Sequence, residues 1–266
     1  MLEGALNIAV KTARQAGQVI LRYVNRVGSI PVEEKERNDF VSEVDRAAEA
    51  EIVKELKRSY PRHAILAEEG GQIGRKDKFT WIVDPLDGTH NYLRGFPHYA
   101  VSIALMEAGE PRVGVVFDPL RNELFTAVRG RGTQLNERRV RVAARPGLKD
   151  ALLATGFPFR QRQRLDAHLA MTRALLVEQE AEDLRRTGSA ALDLAYVACG
   201  RVDAFYEFGL KPWDMAAGWL LVREAGGRLT DMRGGETFME SGNVVAGNIK
   251  VTDAMVAAFA PHLGSL

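Results

Sequence analysis

Apolar residues recur every three to four positions in several stretches of the chain, and this spacing predicts amphipathic helices. The first helix is predicted over residues 2–24, where Leu6, Ala9 and Ala13 share one face. A second helix begins near Ser42, which could cap its first turn together with Asp45. Pro61 ends this second helix. Four further helices are predicted over residues 165–179, 191–199, 213–225 and 253–259.

Shorter apolar or alternating runs between these helices predict β-strands. The predicted strands are residues 64–67, 81–83, 99–106, 113–117, 124–128, 140–142, 152–155, 204–208 and 244–247. In the first half, successive strands are separated by short turns, which is typical of a hairpin-connected sheet. Around Arg145 the pattern changes, and helices alternate with strands from there on.

Two carboxylates follow directly after the predicted strand that ends at Val83, in the stretch Asp84-Pro85-Leu86-Asp87-Gly88-Thr89. Pro85 fixes its own φ, and Gly88 allows a backbone conformation that a side chain would block. The turn is therefore rigid and carries the oxygen ligands that hard cations such as Mg²⁺ prefer. Taken alone, Asp-x-x-Asp-Gly is more typical of a polar turn without a function.

Other charged residues stand at places where a site could form. Glu68 and Glu69 follow a predicted strand, and they could be metal ligands or part of a surface loop. Asp214 lies in the first turn of a predicted helix, where an acid also favours the helix dipole. Arg185 and Arg186 precede another helix and could bind phosphate or only face solvent. The polar stretch 72–78 is the best candidate for a flap over a site.

Composition narrows the class of protein. The chain has 266 residues, of which 46% are hydrophobic and 27% charged, as in ordinary globular proteins. The formal net charge of +1 excludes a global electrostatic field that would recruit nucleic acid or membrane. A single cysteine, Cys199, cannot form a disulfide within the chain, which suits a reducing cytoplasm. No apolar run is long enough to span a membrane, and the N-terminus does not resemble a signal peptide.

Three stretches together resemble the inositol monophosphatase family, and the SuhB-type bacterial branch most of all. They are Glu68-Glu69, the stretch from Asp84 to Thr89, and Trp213-Asp214-Met215-Ala216-Ala217-Gly218. The resemblance covers nearly the whole chain. It implies an α+β fold, a layered αβαβα sandwich, as a single domain over residues 1–266 with halves 1–145 and 146–266. It also implies Mg²⁺-dependent hydrolysis of a phosphate monoester, lithium sensitivity and commonly a homodimer.

The resemblance also implies roles for particular residues. The metal ligands would be Glu68, Asp84, Asp87, Asp214 and the Leu86 carbonyl, around about two or three Mg²⁺ ions per site. Glu68, Thr89 and Asp87 would be catalytic, and the Gly88 and Thr89 amides would contact the phosphate. The substrate would further meet Leu86, Asp87, Asp214, Arg185, Glu207 and the backbone of Ala190.

The chain departs from the family pattern in one stretch. Where the family usually has Asp-Gly-Thr-Thr-Asn-Phe, this chain has Asp87-Gly88-Thr89-His90-Asn91-Tyr92. This puts packing behind the loop in doubt, although we expect activity to be kept. The substrate also stays open between myo-inositol 1-phosphate and fructose 1,6-bisphosphate, 3′-phosphoadenosine 5′-phosphate or histidinol phosphate. A second role stays open too, as an antitermination partner of Nus factors and RNA polymerase, using basic segments such as 129–145 and 160–164.

Overall fold

The structure is a computed structural model that describes residues 2–24, 32–36, 39–75 and 78–264, with only the backbone at 32–36 and 39–41. Its α-helices are α1 (Leu2–Tyr23), α2 (Glu43–Ser59), α3 (Thr89–Leu93), α4 (Leu165–Arg173), α5 (Ala190–Ala198), α6 (Pro212–Glu224), α7 (Phe238–Ser241) and α8 (Ile249–Phe259). Its strands are β1 (Val32–Glu36), β2 (Asp39–Ser42), β3 (Ala64–Ala67), β4 (Gly71–Ile73), β5 (Phe79–Asp87), β6 (Ala100–Glu107), β7 (Glu110–Asp118), β8 (Glu123–Val128), β9 (Gly132–Leu135), β10 (Arg138–Val140), β11 (Leu152–Thr155), β12 (Asp183–Arg185), β13 (Ala204–Glu207), β14 (Arg228–Thr230) and β15 (Val244–Gly247).

Two large sheets organise these elements. The first has eight strands in the order β10-β9-β8-β7-β6-β5-β3-β4 and is antiparallel except for the β3–β5 pair. The second has five strands in the order β12-β11-β13-β15-β14, with β11 parallel to both of its neighbours. The first sheet ends along the chain at β10 and the second begins at β11. The prediction of one domain with halves 1–145 and 146–266 stays a prediction.

Alternating side chains of β5 show how the layers are held together. Trp81 and Val83 are buried on one face of the large sheet among residues of α1 and α2. Ile82 points to the other face and joins a core that includes α5 and α6. Because side chains alternate along a strand, one apolar strand fills two cores. A third core joins the five-stranded sheet to α4 and α8. The result is the layered αβαβα sandwich, which confirms the predicted fold class.

The helix predictions hold with shifts at their ends. Ser42 caps α2, and Asp45 accepts a hydrogen bond from the Ser42 amide, so the predicted capping box is present. The helix predicted over 165–179 ends at Arg173 and continues as a π-helical turn over Ala174–Glu178. The last helix begins at Ile249, four residues earlier than predicted, because Asn248 caps it by accepting from the Val251 amide.

Some strand predictions were wrong in detail. The strand predicted over 140–142 ends at Val140, where it pairs with β9. Part of the predicted flap, Gln72 and Ile73, belongs to β4 and is paired with β3, while residues 76 and 77 lie outside the described residues. Short strands β9, β12 and β14 were missed because three or four residues carry too little periodicity. Across the described residues, no helix has both the length and the apolar character needed to cross a bilayer.

Candidate active site

Three aspartates meet at one edge of the large sheet. The register of β5 against β6 shifts between Asp84 and Asp87, so one extra residue bulges out of the strand there. Asp214 comes from the first turn of α6, on the other side of the cavity. Each of the three offers one carboxylate oxygen, and these oxygens all lie within 4.8 Å of one another. The structure thus brings together acids that are more than a hundred residues apart in the sequence.

In each of these aspartates, one carboxylate oxygen accepts a hydrogen bond from the protein. The Leu86 amide donates to Asp84 Oδ1 (3.0 Å). The Ser189 hydroxyl and the Ala191 amide donate to Asp87 Oδ2 (2.6 and 2.7 Å). The Lys211 amide donates to Asp214 Oδ2 (2.7 Å). These bonds fix the orientation of each carboxylate. Each of the three carboxylates also offers one oxygen to the group that lies within 4.8 Å.

The proximity of these acids changes their ionisation. Burial and the charges of Glu68, Asp87 and Asp214 raise the pKa of Asp84 well above its usual range. Burial and the charge of Asp214 raise the pKa of Asp87 to about 7, against the hydrogen bonds from Ser189 and Ala191. A cation among these oxygens would relieve the repulsion. The donor set, made of oriented carboxylate oxygens, fits a hard divalent metal ion.

Glu68 lies at the end of β3, close enough to Asp84 for its charge to raise the Asp84 pKa. It lines the same cavity as the three aspartates, although its oxygens are outside the 4.8 Å group. The turn that carries it is held from α2, because Glu49 accepts hydrogen bonds from the amides of Glu69 (2.8 Å) and Gly70 (2.7 Å). Glu68 is therefore placed beside the aspartates by a braced turn.

Thr89 stands at the start of α3 with its hydroxyl between two acceptors. The hydroxyl oxygen is 2.7 Å from Asp45 Oδ1 and 2.9 Å from the Leu86 carbonyl oxygen. Asp45 is buried, and burial raises its pKa. The sequence analysis interpreted Asp45 only as a helix cap. The structure shows that it has both roles, because its other oxygen accepts from Ser42.

Gly88 has a φ of 96°, and a Cβ there would lie 3.0 Å from the His98 carbonyl oxygen. Both facts require glycine at this turn. Tyr92 stands where the family usually has phenylalanine. Its hydroxyl is buried and donates to the Ile20 carbonyl oxygen of α1 (2.9 Å). His90 is exposed and lines the cavity. The substitutions therefore add one anchor, the Tyr92 hydroxyl, and place an imidazole at the cavity.

The second half supplies the opposite wall of a cavity of about 310 Å³, a size suited to a small ligand. Glu207 is buried there, and burial with the charges of Asp193 and Asp214 raises its pKa well above the usual range. A Cβ on Gly156 would lie 2.2 Å from the Glu207 carboxylate, so only glycine fits beside this acid. Among the site residues predicted from the sequence, only Arg185 does not line this cavity.

The structure places Arg185 outside the residues that line this cavity. Arg185 is the last residue of β12, is exposed and forms an ion pair with Asp183 on the same strand. Arg186, the next residue, lines the cavity instead. Both arginines are exposed, but neighbouring side chains of an extended segment point in opposite directions, so only one of the two lines the cavity. Sequence reasoning also missed Arg160, which lines the cavity with its Nη1 atom 3.8 Å from Asp214 Oδ2.

A layered αβαβα sandwich with a cavity of clustered acids at its centre is the architecture of metal-dependent phosphatases of sugars and polyols. The chain belongs to the inositol monophosphatase family, whose model matches residues 1–263.

Named relatives agree with this assignment. The chain is 57% identical to the Nus factor SuhB of Xylella fastidiosa, over 96% of this chain and 94% of the relative. It is 51% identical to the Nus factor SuhB of Escherichia coli, over 95% and 94% of the two chains. The crystal structure of the extragenic suppressor protein SuhB from Bartonella henselae superposes with a TM-score of 0.93 at 42% identity, covering 99% and 100%. The inositol monophosphatase from Anabaena gives a TM-score of 0.87 at 38% identity, covering 98% and 96%.

Proposed function

We propose that this protein hydrolyses a phosphate monoester in a Mg²⁺-dependent reaction, with myo-inositol 1-phosphate as the substrate. The observation that carries this proposal is the group of three oriented aspartates that line one cavity and each offer a carboxylate oxygen within 4.8 Å of the others. Membership of the inositol monophosphatase family supports the reaction class. Neighbouring solved structures that carry the name inositol monophosphatase support the choice of substrate.

Asp84, Asp87 and Asp214, with Glu68 and the Leu86 carbonyl, would hold about two or three Mg²⁺ ions. When bound, Mg²⁺ supplies Lewis acidity, which offsets the charge on the phosphate and on the leaving alkoxide and makes water more acidic. The anchoring hydrogen bonds to Asp84, Asp87 and Asp214 keep these ligands oriented before the metal arrives. Little reorganisation is therefore needed when the substrate binds.

Thr89, Asp45 and Glu68 would position and deprotonate the attacking water. The Thr89 hydroxyl donates to Asp45 Oδ1, 2.7 Å away, so it would accept a hydrogen bond from water and pass its own proton to Asp45 as it takes the proton that the water loses. Glu68 lines the same side of the cavity and would orient that water from a second direction. The amides of Gly88 and Thr89 would contact the phosphate. The protein contributes mainly positioning and electrostatics, as phosphoryl transfer requires.

The polyol would lie against the second half. Glu207, the Ala190 backbone and Arg186 line that wall, so the hydroxyls of the substrate would meet an acid, a backbone group and a guanidinium. We transfer the role proposed for Arg185 to Arg186 on this ground. The same metal centre would serve other phosphoesters, and only this wall would distinguish them.

The experiment that tests the proposal is phosphate release from myo-inositol 1-phosphate, fructose 1,6-bisphosphate, 3′-phosphoadenosine 5′-phosphate and histidinol phosphate, each with Mg²⁺ and with a chelator. We expect Mg²⁺-dependent release that is fastest with the inositol ester. A strong preference for another ester would keep the chemistry and reassign the substrate. No release from any ester by folded, Mg²⁺-loaded protein would contradict the phosphatase proposal.

A second function is favoured by the names of the curated relatives, which are Nus factors at 57% and 51% identity. We propose that the protein, as a homodimer, also joins a transcription antitermination complex with Nus factors and RNA polymerase. Arg138, Arg139 and Arg141, on and beside edge strand β10, are exposed and give this edge a basic character. Co-purification of the polymerase complex with both wild type and Asp87→Asn would support a role independent of turnover, and no co-purification with either would contradict it.

A further inference from the structure

One short segment of the second half, residues 187–191, leads into α5. It makes hydrogen bonds with Asp87 and Asn91 of the first half. The Asn91 side chain donates from Nδ2 to the Thr187 carbonyl oxygen at 2.9 Å. The Ser189 hydroxyl and the Ala191 amide both donate to the same oxygen, Asp87 Oδ2, at 2.6 and 2.7 Å. These hydrogen bonds span about a hundred residues of sequence. The orientation of Asp87 is therefore set by the other half of the molecule.

Ser189 has a second bond that decides which way its proton points. It is the N-cap of α5, and its hydroxyl oxygen accepts from the Leu192 amide at 3.4 Å. Because the lone pair faces the helix, the hydroxyl proton is directed to Asp87. Ser189 is only 2% exposed, so water does not compete for this proton. A hydrogen bond from a hydroxyl to an ionised carboxylate at this distance is among the stronger ones in proteins.

The same geometry determines which atom of Asp87 meets a ligand. Oδ2 already accepts two hydrogen bonds from the second half, and Oδ1 is the oxygen left for the cavity. Without the Ser189 donor, only the Ala191 amide would hold Oδ2, so the carboxylate would turn more easily about its Cβ–Cγ bond and Oδ1 would be less firmly fixed beside the oxygens of Asp84 and Asp214. Partners that orient a ligand in this way commonly change metal affinity by about 10- to 100-fold when they are removed.

We infer that Ser189 is a positioning residue that presents Asp87 Oδ1 to the metal and makes metal affinity depend on contact between the two halves. This inference rests on the metal centre of the proposed function. Ser189 itself touches neither metal nor substrate. Its effect is therefore expected in the metal dissociation constant and in the Mg²⁺ concentration needed for activity, with kcat restored when Mg²⁺ is raised to saturation.

The test is calorimetric titration of Mg²⁺ alone into metal-stripped, full-length protein. Ser189→Gly removes the hydroxyl donor, while glycine remains a tolerated N-cap, so α5 is kept. Ser189→Thr retains a hydroxyl in the same position. We expect Ser189→Gly to weaken Mg²⁺ binding by about tenfold and Ser189→Thr to stay within about threefold of wild type.

The matched control is Asn248→Gly, which changes the N-cap of α8 away from the cavity. Asn248 also donates to the carbonyl oxygens of Ala143 and Arg145, both at 2.8 Å, so its loss is expected to destabilise the fold at least as much. It should leave Mg²⁺ binding unchanged, which separates positioning from stability. Equal dissociation constants for wild type and Ser189→Gly would overturn the inference about Ser189 alone. Absence of Mg²⁺ binding in folded wild type would instead contradict the proposed metal centre.

Discussion

Two of the regions in which ionisable side chains are buried treat them in opposite ways. In the cavity, Asp84, Asp87 and Asp214 are crowded together, yet each has one oxygen held by protein hydrogen bonds. Under α4, His168 is 0% exposed and packs against Tyr206 and Phe157, and neither of its ring nitrogens has a hydrogen-bond partner among the described residues. Hydrogen bonds orient the carboxylates of the first region, whereas the His168 ring in the second region has none among the described residues.

The difference shows how burial alone can be separated from function. Burial lowers the pKa of His168 to about 4, so this side chain is neutral at physiological pH and its region is complete without a ligand. The aspartates repel one another, and each offers a carboxylate oxygen within 4.8 Å of the others, so a cation among them would relieve the repulsion. Hydrogen bonds that orient a charge, rather than burial, therefore distinguish the functional site.

The change expected to have the largest effect breaks the oriented cluster. Asp87→Asn keeps the shape of the side chain and can still accept the hydrogen bond from Ser189, but it removes the charge. We expect turnover with saturating Mg²⁺ to fall about a thousandfold, because charge stabilisation by a bound metal is worth several kcal/mol. The thermal midpoint without metal should stay the same or rise, because one repelling charge is lost. Phosphate release and thermal melts measure the two results.

The control for this variant is Asp183→Asn, which alters an exposed acid on β12 that pairs with Arg185. It should retain the activity of the wild type. Full turnover by Asp87→Asn in saturating Mg²⁺ would remove the reason for assigning this cluster to the chemistry.

The next largest effect is expected at His168, whose ring nitrogens make no hydrogen bond within the described part of the chain. The folded-state pKa of His168, about 4, lies below the usual value of 6.5, so the unfolded chain binds more protons between these two values. Stability should therefore fall as pH falls, and His168 alone should contribute a loss of about 2 kcal/mol between about pH 7 and about pH 5. His168→Met removes this contribution, because methionine fills the space without titrating. Urea unfolding of both proteins at the two pH values measures the difference.

His98 provides the internal comparison for this experiment. Burial also lowers its pKa to about 4, so His168→Met should keep the part of the pH dependence that His98 supplies. A loss of stability on acidification that is as large in His168→Met as in wild type would show that His168 is not held neutral in the fold.

The smallest expected effect distinguishes two adjacent arginines at the wall of the cavity. Arg186 lines the cavity and Arg185 does not, although they are adjacent in sequence. We expect Arg186→Gln to raise KM for myo-inositol 1-phosphate by about tenfold, through loss of one charge-assisted hydrogen bond, and to leave KM for phenyl phosphate unchanged. Arg185→Gln should change neither value. Equal effects of the two substitutions on KM would place the polyol elsewhere.

Much of this architecture could be predicted from the sequence, because the signals concerned are local. Helix periodicity places α1 and α2, and apolar runs place β5 and β6, to within a few residues. The stretch from Asp84 to Thr89 is recognisable because strand, proline and glycine fix the geometry of consecutive residues. The capping box of Ser42 and Asp45 is a local pattern of the same kind.

What the sequence did not reveal depends on contacts between distant segments. Nothing in the local pattern indicates that Asp45 faces Thr89 or that Ser189 holds Asp87, because each pair is joined only by the fold. The choice between Arg185 and Arg186 depended on where a three-residue strand ends. Periodicity cannot locate so short an element, so the prediction selected the arginine that lies outside the cavity.

The most direct test of the central claim is a crystal structure of the protein with Mn²⁺ in place of Mg²⁺, recorded for its anomalous signal. The account predicts at least one strong anomalous peak among the carboxylate oxygens of Asp84, Asp87 and Asp214, and its loss in crystals of Asp87→Asn. A fully ordered site without such a peak, at Mn²⁺ concentrations that saturate binding in solution, would show that the oriented aspartates are not the metal centre.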